Sequence, residues 1–391
     1  MGTVNIVVPP LHPTLFSGGT YCILRYAIGL REKGHAVNLI PLLPCPAPRW
    51  AEGDYGRLLG ARDARCDVAR FDSRGTKRAL IERMRDSFAD VGLRAARLFP
   101  EDVQRGFEMR FVRQVMPPAD VTVATSFQTA LPVHLYGTGK LFYFLQHFEP
   151  YFAVDMPDPK RADHEARASY RLGLQMIANS TWLQRLVQIE SNIEPVLCSN
   201  AIDHTIFVGE PKVEAAREEV RIISYGGRTA SWKGFRDMAH AVRQIRNAIP
   251  SRKIRWLVFG DSMLPPDNQI ARYESLGFLR HEQLAGAYRD SDILLSASWH
   301  ESFPLFPLEA MACGLAVVTS QPGTEEFAIH EETAEIVEAR NVDSIVRALT
   351  RLIHEPRYRL KLAKNGREVS RKFTWAASVD RMESLLFAGT R

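Results

Sequence analysis

Residues 4–40 carry the pattern that most constrains this chain. A short apolar run at 4–8 leads into a loop from Pro9, closed by Gly18-Gly19. Residues 20–33 place Ile23, Ala27 and Leu30 at helical spacing, Gly34 supplies a stop, and 37–40 is a second apolar run. Strands this apolar are buried on both faces. A strand–loop–helix–strand unit of this length is the opening of a doubly wound parallel sheet.

The alternation continues. Apolar runs at 121–125, 141–146 and 176–179 read as further strands, and Ser180 is placed to cap a helix over 181–189. The pattern loosens over 200–211. It then resumes with strands at 221–225, 255–259, 292–296 and 316–319, and helices at 234–248, 282–289 and 307–313. The expected architecture is α/β, with two doubly wound Rossmann-like domains at 1–205 and 206–372. A C-terminal helix, 373–391, is expected to return to the first domain. A chain of 391 residues exceeds one typical core. α/β sheets bind ligands outside the carboxyl ends of their strands, so the ligand is expected in a cleft between the domains.

Composition narrows the class. No apolar run approaches the ~18–20 residues that cross a bilayer. The first residues lack a basic region and read as a strand rather than a signal peptide. The five cysteines are scattered with no CxxC pair, which predicts neither a disulfide framework nor a zinc site. The expected home is a reducing cytoplasm. The formal net charge is +5, and residues 57–113 hold 14 Lys and Arg against 9 Asp and Glu. That stretch reads either as a solvated helical face or as a surface for anionic lipid, at the inner face of the membrane, or for an anionic acceptor. Nucleic acid is not the expected partner, because no aromatic-interleaved basic groove is present.

Two segments carry chemistry. The first runs Glu301-Ser302-Phe303-Pro304-Leu305-Phe306-Pro307-Leu308-Glu309 and on to Gly314. Pro307 suits a first helical turn, so Glu301 is expected in the loop and Glu309 in the first turn. Two carboxylates would then flank a helix N-terminus, whose N–H groups and dipole favour anions. The bland alternative is a dipole-matched Glu309 and a surface Glu301. The second segment is Gly226-Gly227-Arg228-Thr229-Ala230-Ser231-Trp232-Lys233-Gly234, which follows a strand and opens a helix. A guanidinium at Arg228 and an ammonium at Lys233 suit a diphosphate. The same residues would also make an ordinary surface loop.

Together these segments resemble retaining glycosyltransferases of the GT-B fold, especially family 4, with its Glu-x7-Glu signature and its Gly-Arg…Lys-Gly loop. The resemblance implies that Arg228 and Lys233 stabilise a departing diphosphate. It implies that Glu301 lies near the donor sugar and that Glu309 binds ribose hydroxyls. Backbone groups at Gly227, Phe303, Leu305 and Phe306 would approach the donor. Pro304 departs from the family, which usually has Gly there. Gly18-Gly19 resembles the family's first glycine-rich loop, and Gly277-Phe278-Leu279 the turn that meets the base at Leu279. Asn200-Ala201-Ile202-Asp203 resembles the interdomain linker, and Pro322-Gly323-Thr324-Glu325-Glu326 the turn after the last core strand. His147, ending a strand, stands where the family often has a histidine at the donor sugar. The Gln146–Tyr151 stretch also looks like a bacterial rhamnosyltransferase subgroup.

The resemblance implies a nucleotide-sugar donor, a saccharide or lipid-linked saccharide acceptor, and no cofactor or metal. Asp290-Ser291-Asp292 mimics a metal-binding Asp-x-Asp but bridges a helix and a strand, which predicts a structural role. A nucleotide-sugar epimerase on the same fold and a non-catalytic nucleotide-sugar-binding protein are the rival readings.

Overall fold

The computed structural model describes residues 1–10, 17–43, 101–212, 219–226, 230–260 and 271–388. Their contacts divide the chain into two units, one of residues 1–179, 183–198 and 375–391, the other of 180–182 and 199–374.

In the first unit the described strands are β1 (Thr3–Val8), β2 (Ala36–Pro41), β3 (Val121–Ala124), β4 (Lys140–Leu145), β5 (Gln175–Ala178) and β6 (Val196–Leu197). They form one sheet in the order β2-β1-β3-β4-β5-β6. Every pair is parallel, with Val7 opposite both Ile40 and Ala124. The apolar runs read from the sequence are its buried centre, with Val4, Val7, Val121 and Ala124 fully covered.

One expectation needs correcting here. Gly18 and Gly19 do not close the loop; they open the helix Gly18–Glu32, with Ser17 as its N-cap accepting from the Thr20 N–H. A serine cap ahead of two small residues starts the helix two positions earlier than apolar spacing alone suggests. The helix Trp375–Leu386 packs on this one. Trp375 meets Tyr21 and Tyr26 edge-on, with centroids 5.9 and 5.4 Å apart. Gly29 permits the approach, since a Cβ there would stand 2.4 Å from Val379. Lys33 and His35 bond Glu383 at the far end, at 2.7 and 2.9 Å.

The second unit repeats the plan. Its described strands are β7 (Glu219–Tyr225), β8 (Lys253–Phe259), β9 (Glu274–Gly277), β10 (Ile293–Ser296), β11 (Ala316–Ser320) and β12 (Glu335–Val337). The order is β12-β11-β10-β7-β8-β9, again all parallel. Trp256 fills the centre of one face, donating its indole N–H to Ser224 at 3.0 Å and stacking on Phe235 at 5.3 Å. Asp292 accepts the Arg221 N–H at 2.8 Å, which ties β10 to β7 and gives that acid a structural job.

In each sheet the strand order reverses at one place, between β1 and β3 in the first and between β7 and β10 in the second. Loops at the carboxyl ends of such a strand pair splay apart and leave a crevice. Gly18-Gly19 follows β1. Lys233 follows β7, and Glu301 follows β10.

Candidate functional site

The second unit brings the two chemical segments together at its reversal point. Among the described residues after β7 the chain makes a 3-10 turn, Ser231–Lys233, and then enters the helix Phe235–Ala248 through Gly234 at φ +68°. A Cβ on Gly234 would stand 2.1 Å from the Ala297 carbonyl oxygen, just past β10. Only glycine combines that left-handed φ with that approach. The pressed backbones set the two loops side by side, and the Lys233 ammonium meets the Glu301 carboxylate at 2.5 Å. Both side chains are mostly covered, each 16% exposed. Gly234→Ala is expected to destabilise the second unit by at least ~1–2 kcal/mol, the backbone cost alone. Its melting transition should move down by several degrees. An unchanged transition would show that Gly234 can relax away from Ala297.

Glu301 is held by a second glycine. Gly323, at φ +80°, lies against the backbone of Glu301 and Ser302, and a Cβ there would come within 2.4 Å of the Glu301 carbonyl oxygen. The turn after β11 thus backs the Glu301 loop from behind.

The helix that follows is Leu305–Ala312, with Pro304 as its N-cap at φ −70°. The cap position needs no intrahelical N–H, so proline sits there without losing a bond. Leu305 and Phe306 are the first helical residues, whose N–H groups have no intrahelical acceptor. Pro307 is third, and Glu309 is fifth. The placement of Glu309 in the first turn is therefore corrected, since no acid lies in that turn. The helix starts at Leu305, behind Pro304, and not at Pro307. Glu309 instead points from the second turn into the protein, 3% exposed. Burial pushes its carboxyl up to about 8. Its Oε2 finds no hydrogen-bond partner among the described residues, and the nearby buried Tyr288 hydroxyl likewise has none. An orphaned buried oxygen typically costs ~1–3 kcal/mol and is a place where a ligand hydroxyl would bond.

The remaining residues of the segment divide between core and rim. Phe303 is buried against Phe327 and Phe373, at 5.6 and 5.8 Å, so only its backbone is open to a donor role. Phe306 packs on Tyr225 and Phe259, at 4.9 and 5.1 Å, joining the ends of β7 and β8 to the helix start. Leu305 and Leu279 are partly buried against the same core. Gly227 and Arg228 lie outside the described residues.

Gly18, Gly19 and His147 belong to the first unit. A Cβ on Gly19 would stand 3.2 Å from the Gln146 side-chain oxygen, so Gly19 and the residue before His147 meet there. His147 is half-buried, its ring edge-on to Phe152 at 4.0 Å. Glu149, two residues on, accepts from the Phe127 N–H at 3.0 Å and from the Tyr143 hydroxyl. Burial pushes its carboxyl up to about 7. The first bond satisfies the N-terminal N–H of the helix Phe127–Tyr136 and the second ties Glu149 to β4, both structural duties.

The sequence reading singled out neither Trp232 nor His300, and it placed Gly323 in a turn without its approach to Glu301. Trp232 and His300 stand beside Lys233 and Glu301 in sequence, and their juxtaposition was the available signal.

Comparison with known proteins fits this geometry. The chain aligns over 98% of its length with sucrose-phosphate synthase from Thermosynechococcus elongatus, covering 98% of that chain, at 17% identity and a TM-score of 0.68. It aligns over 99% of both chains with Anabaena HepE, solved in complex with UDP-glucose, at 15% identity and a TM-score of 0.68. The two parallel six-stranded α/β units are thus of the GT-B fold. Residues 209–369, which hold Lys233, Glu301 and Glu309, match the family model described as glycosyl transferases group 1. The O-antigen biosynthesis protein RfbC of Myxococcus xanthus is 27% identical over 307 residues, 77% of this chain and 23% of that protein. The chain spans less than half the length of the curated relatives it first matches.

Proposed function

We propose that the chain is a retaining glycosyltransferase of family 4 type, moving a hexose or deoxyhexose from a nucleotide sugar to a saccharide or lipid-linked saccharide. The observation that carries this is the Lys233–Glu301 pair at the reversal point of the second sheet, beside the start of the Leu305–Ala312 helix. It lies inside the stretch that matches the group 1 glycosyltransferase model. A diphosphate gains charge as it leaves the sugar. An ammonium and backbone N–H groups already in place stabilise that charge without reorganising. In this reading Lys233, Arg228 and the N–H groups of Leu305 and Phe306 take the diphosphate. Glu301 accepts from sugar hydroxyls, and Glu309 from the ribose. His147 and the helix start at Gly18-Gly19 would serve the sugar and the acceptor. The acceptor oxygen attacks the anomeric carbon on the face the diphosphate leaves, and the departing phosphate takes the acceptor's proton. RfbC, an O-antigen biosynthesis protein, and HepE, solved with UDP-glucose, support a nucleotide-sugar donor and a glycan acceptor.

We place the reaction in the cytoplasm, at the inner face of the membrane when the acceptor is lipid-linked, where the basic charge of 57–113 would attract anionic lipid. Residues 57–100 of that stretch lie outside the described residues. No helix among the described residues is long and apolar enough to cross a membrane.

A thermal-shift panel of UDP, GDP, ADP, dTDP and their sugars tests the reading. A ligand at 100 times its Kd stabilises by ~2.7 kcal/mol, a shift of several degrees for domains of this size. One nucleotide series should stand out, and its sugar should pass to an acceptor with the anomeric configuration kept. A panel with no shift defeats the donor assignment, and an inverted product defeats retention.

A further inference from the structure

We propose that the stacked rings of Trp232 and His300 position the Lys233 ammonium, setting where it stands for an incoming diphosphate. The inference rests on the transferase reading for its purpose, though not for its geometry.

A lysine is a poor fixed charge by itself. Its four-carbon stem carries ~2 kcal/mol of rotamer entropy, and its ammonium has no preferred direction. Preorganised catalysis needs that charge held in advance. Lys233 is held on two sides. Its Nζ lies 4.3 Å from the centroid of the Trp232 ring, within cation–π range, and 2.5 Å from Glu301. The indole is one of the two surfaces on which the ammonium rests, so whatever fixes the indole helps to fix the charge.

Trp232 is fixed at its backbone and at its ring. The Trp232 carbonyl accepts the Trp299 N–H at 2.7 Å, so the backbone of one loop hangs from the other. The Trp232 and His300 rings stack with centroids 5.3 Å apart and planes 15° apart. Trp299 is itself anchored, donating its ring N–H to Asp237 at 2.7 Å and lying under the Arg340 guanidinium at 4.0 Å. Trp232 is 8% exposed, so the arrangement is enclosed.

His300 suits the task as a neutral ring. Burial holds its imidazole below the ordinary histidine pKa. Lys233 and Arg340 push the same way, while Glu301 opposes them. A neutral imidazole stacks on the indole without repelling the ammonium beside it. Neither ring is assigned contact with the reacting atoms; both are positioning residues that act through Lys233.

The test uses the whole chain with 13C-labelled lysine. The Lys233 side-chain resonances, identified by their loss in Lys233→Arg, should stand upfield because they lie against the indole. They should return to ordinary positions in Trp232→Leu and His300→Ala, and stay upfield in His300→Phe, which keeps a flat ring. Inorganic pyrophosphate then probes the cation without a base or sugar. Its affinity should fall about tenfold in Trp232→Leu and His300→Ala, the scale of a desolvated cation–π contact. In His300→Phe it should stay within about twofold of the starting protein. If Trp232→Leu does not fold, the two His300 variants decide. Wild-type resonances and wild-type pyrophosphate affinity in His300→Ala overturn the proposal. A protein that shows the expected Lys233 shifts and binds pyrophosphate, yet takes no nucleotide sugar, supports the positioning and defeats the transferase reading instead.

Discussion

Replacing Lys233 with Ala is expected to lower kcat by about 10²-fold or more, the usual loss when a preorganised electrostatic group is removed. The donor is whichever nucleotide sugar the thermal-shift panel selects. The structure adds a stability effect that a surface lysine would not have. Lys233 and Glu301 are each 16% exposed and share a 2.5 Å contact, so the alanine variant strands a largely covered carboxylate. Breaking a fully buried pair costs ~3–5 kcal/mol. Partial exposure should reduce that to about 1–2 kcal/mol here. Glu301→Gln in the Lys233→Ala background should therefore recover most of the lost stability and none of the turnover. A structural ion pair would behave oppositely, with activity returning alongside the melting temperature. Arg228→Ala should share the kinetic loss. Near-normal turnover in both single variants would remove the diphosphate role from this loop.

The fold was legible because buried parallel strands are written as unbroken apolar runs. The stretches at 4–8, 121–125 and 316–319 need no partner to be recognised. The strands that escaped notice, β6, β9 and β12, have two to four residues each and sit toward the sheet edges. They are held by pairing more than by their own pattern. The two glutamates were visible as a spacing, yet the depth of Glu309 was not. Pro304 and Pro307 are both acceptable at a helix start, and the choice between them moves Glu309 from the first turn to the second. Burial followed from that register. Trp232 and His300 were hidden for another reason. They are 68 residues apart, and they meet only because β7 and β10 are neighbours at the reversal point. Gly234 and Gly323 look like ordinary turn glycines until the carbonyls of Ala297 and Glu301 are seen against them.

Nucleotide binding is expected to tighten as pH rises from 6 to about 8, and to release a proton near pH 7. The cause is Glu309. Burial pushes its carboxyl up to about 8 in the empty protein, so it is mostly protonated at pH 7. A ribose presents hydroxyl donors, and an ionised carboxylate accepts two of them where a protonated one must use an oxygen as donor. The hydrogen-bonded ribose therefore favours the charged form and lowers the pKa in the complex. Below about pH 8 each unit of pH should weaken nucleoside diphosphate binding by up to tenfold. Calorimetry in buffers of different ionisation enthalpy counts the proton. Glu309→Gln should flatten the pH profile, abolish proton release, and bind more weakly than the parent protein at pH 8. Stability runs the other way. A carboxyl raised above its ordinary value favours the folded protein below about pH 4.5, and that contribution is lost as pH climbs through about 8. Glu309→Gln should thus leave the empty protein more resistant to heat at pH 8.5 than the parent, although it binds nucleotide less well. Binding that keeps its pH dependence and its proton release in Glu309→Gln would place the titrating group elsewhere and remove Glu309 from the ribose.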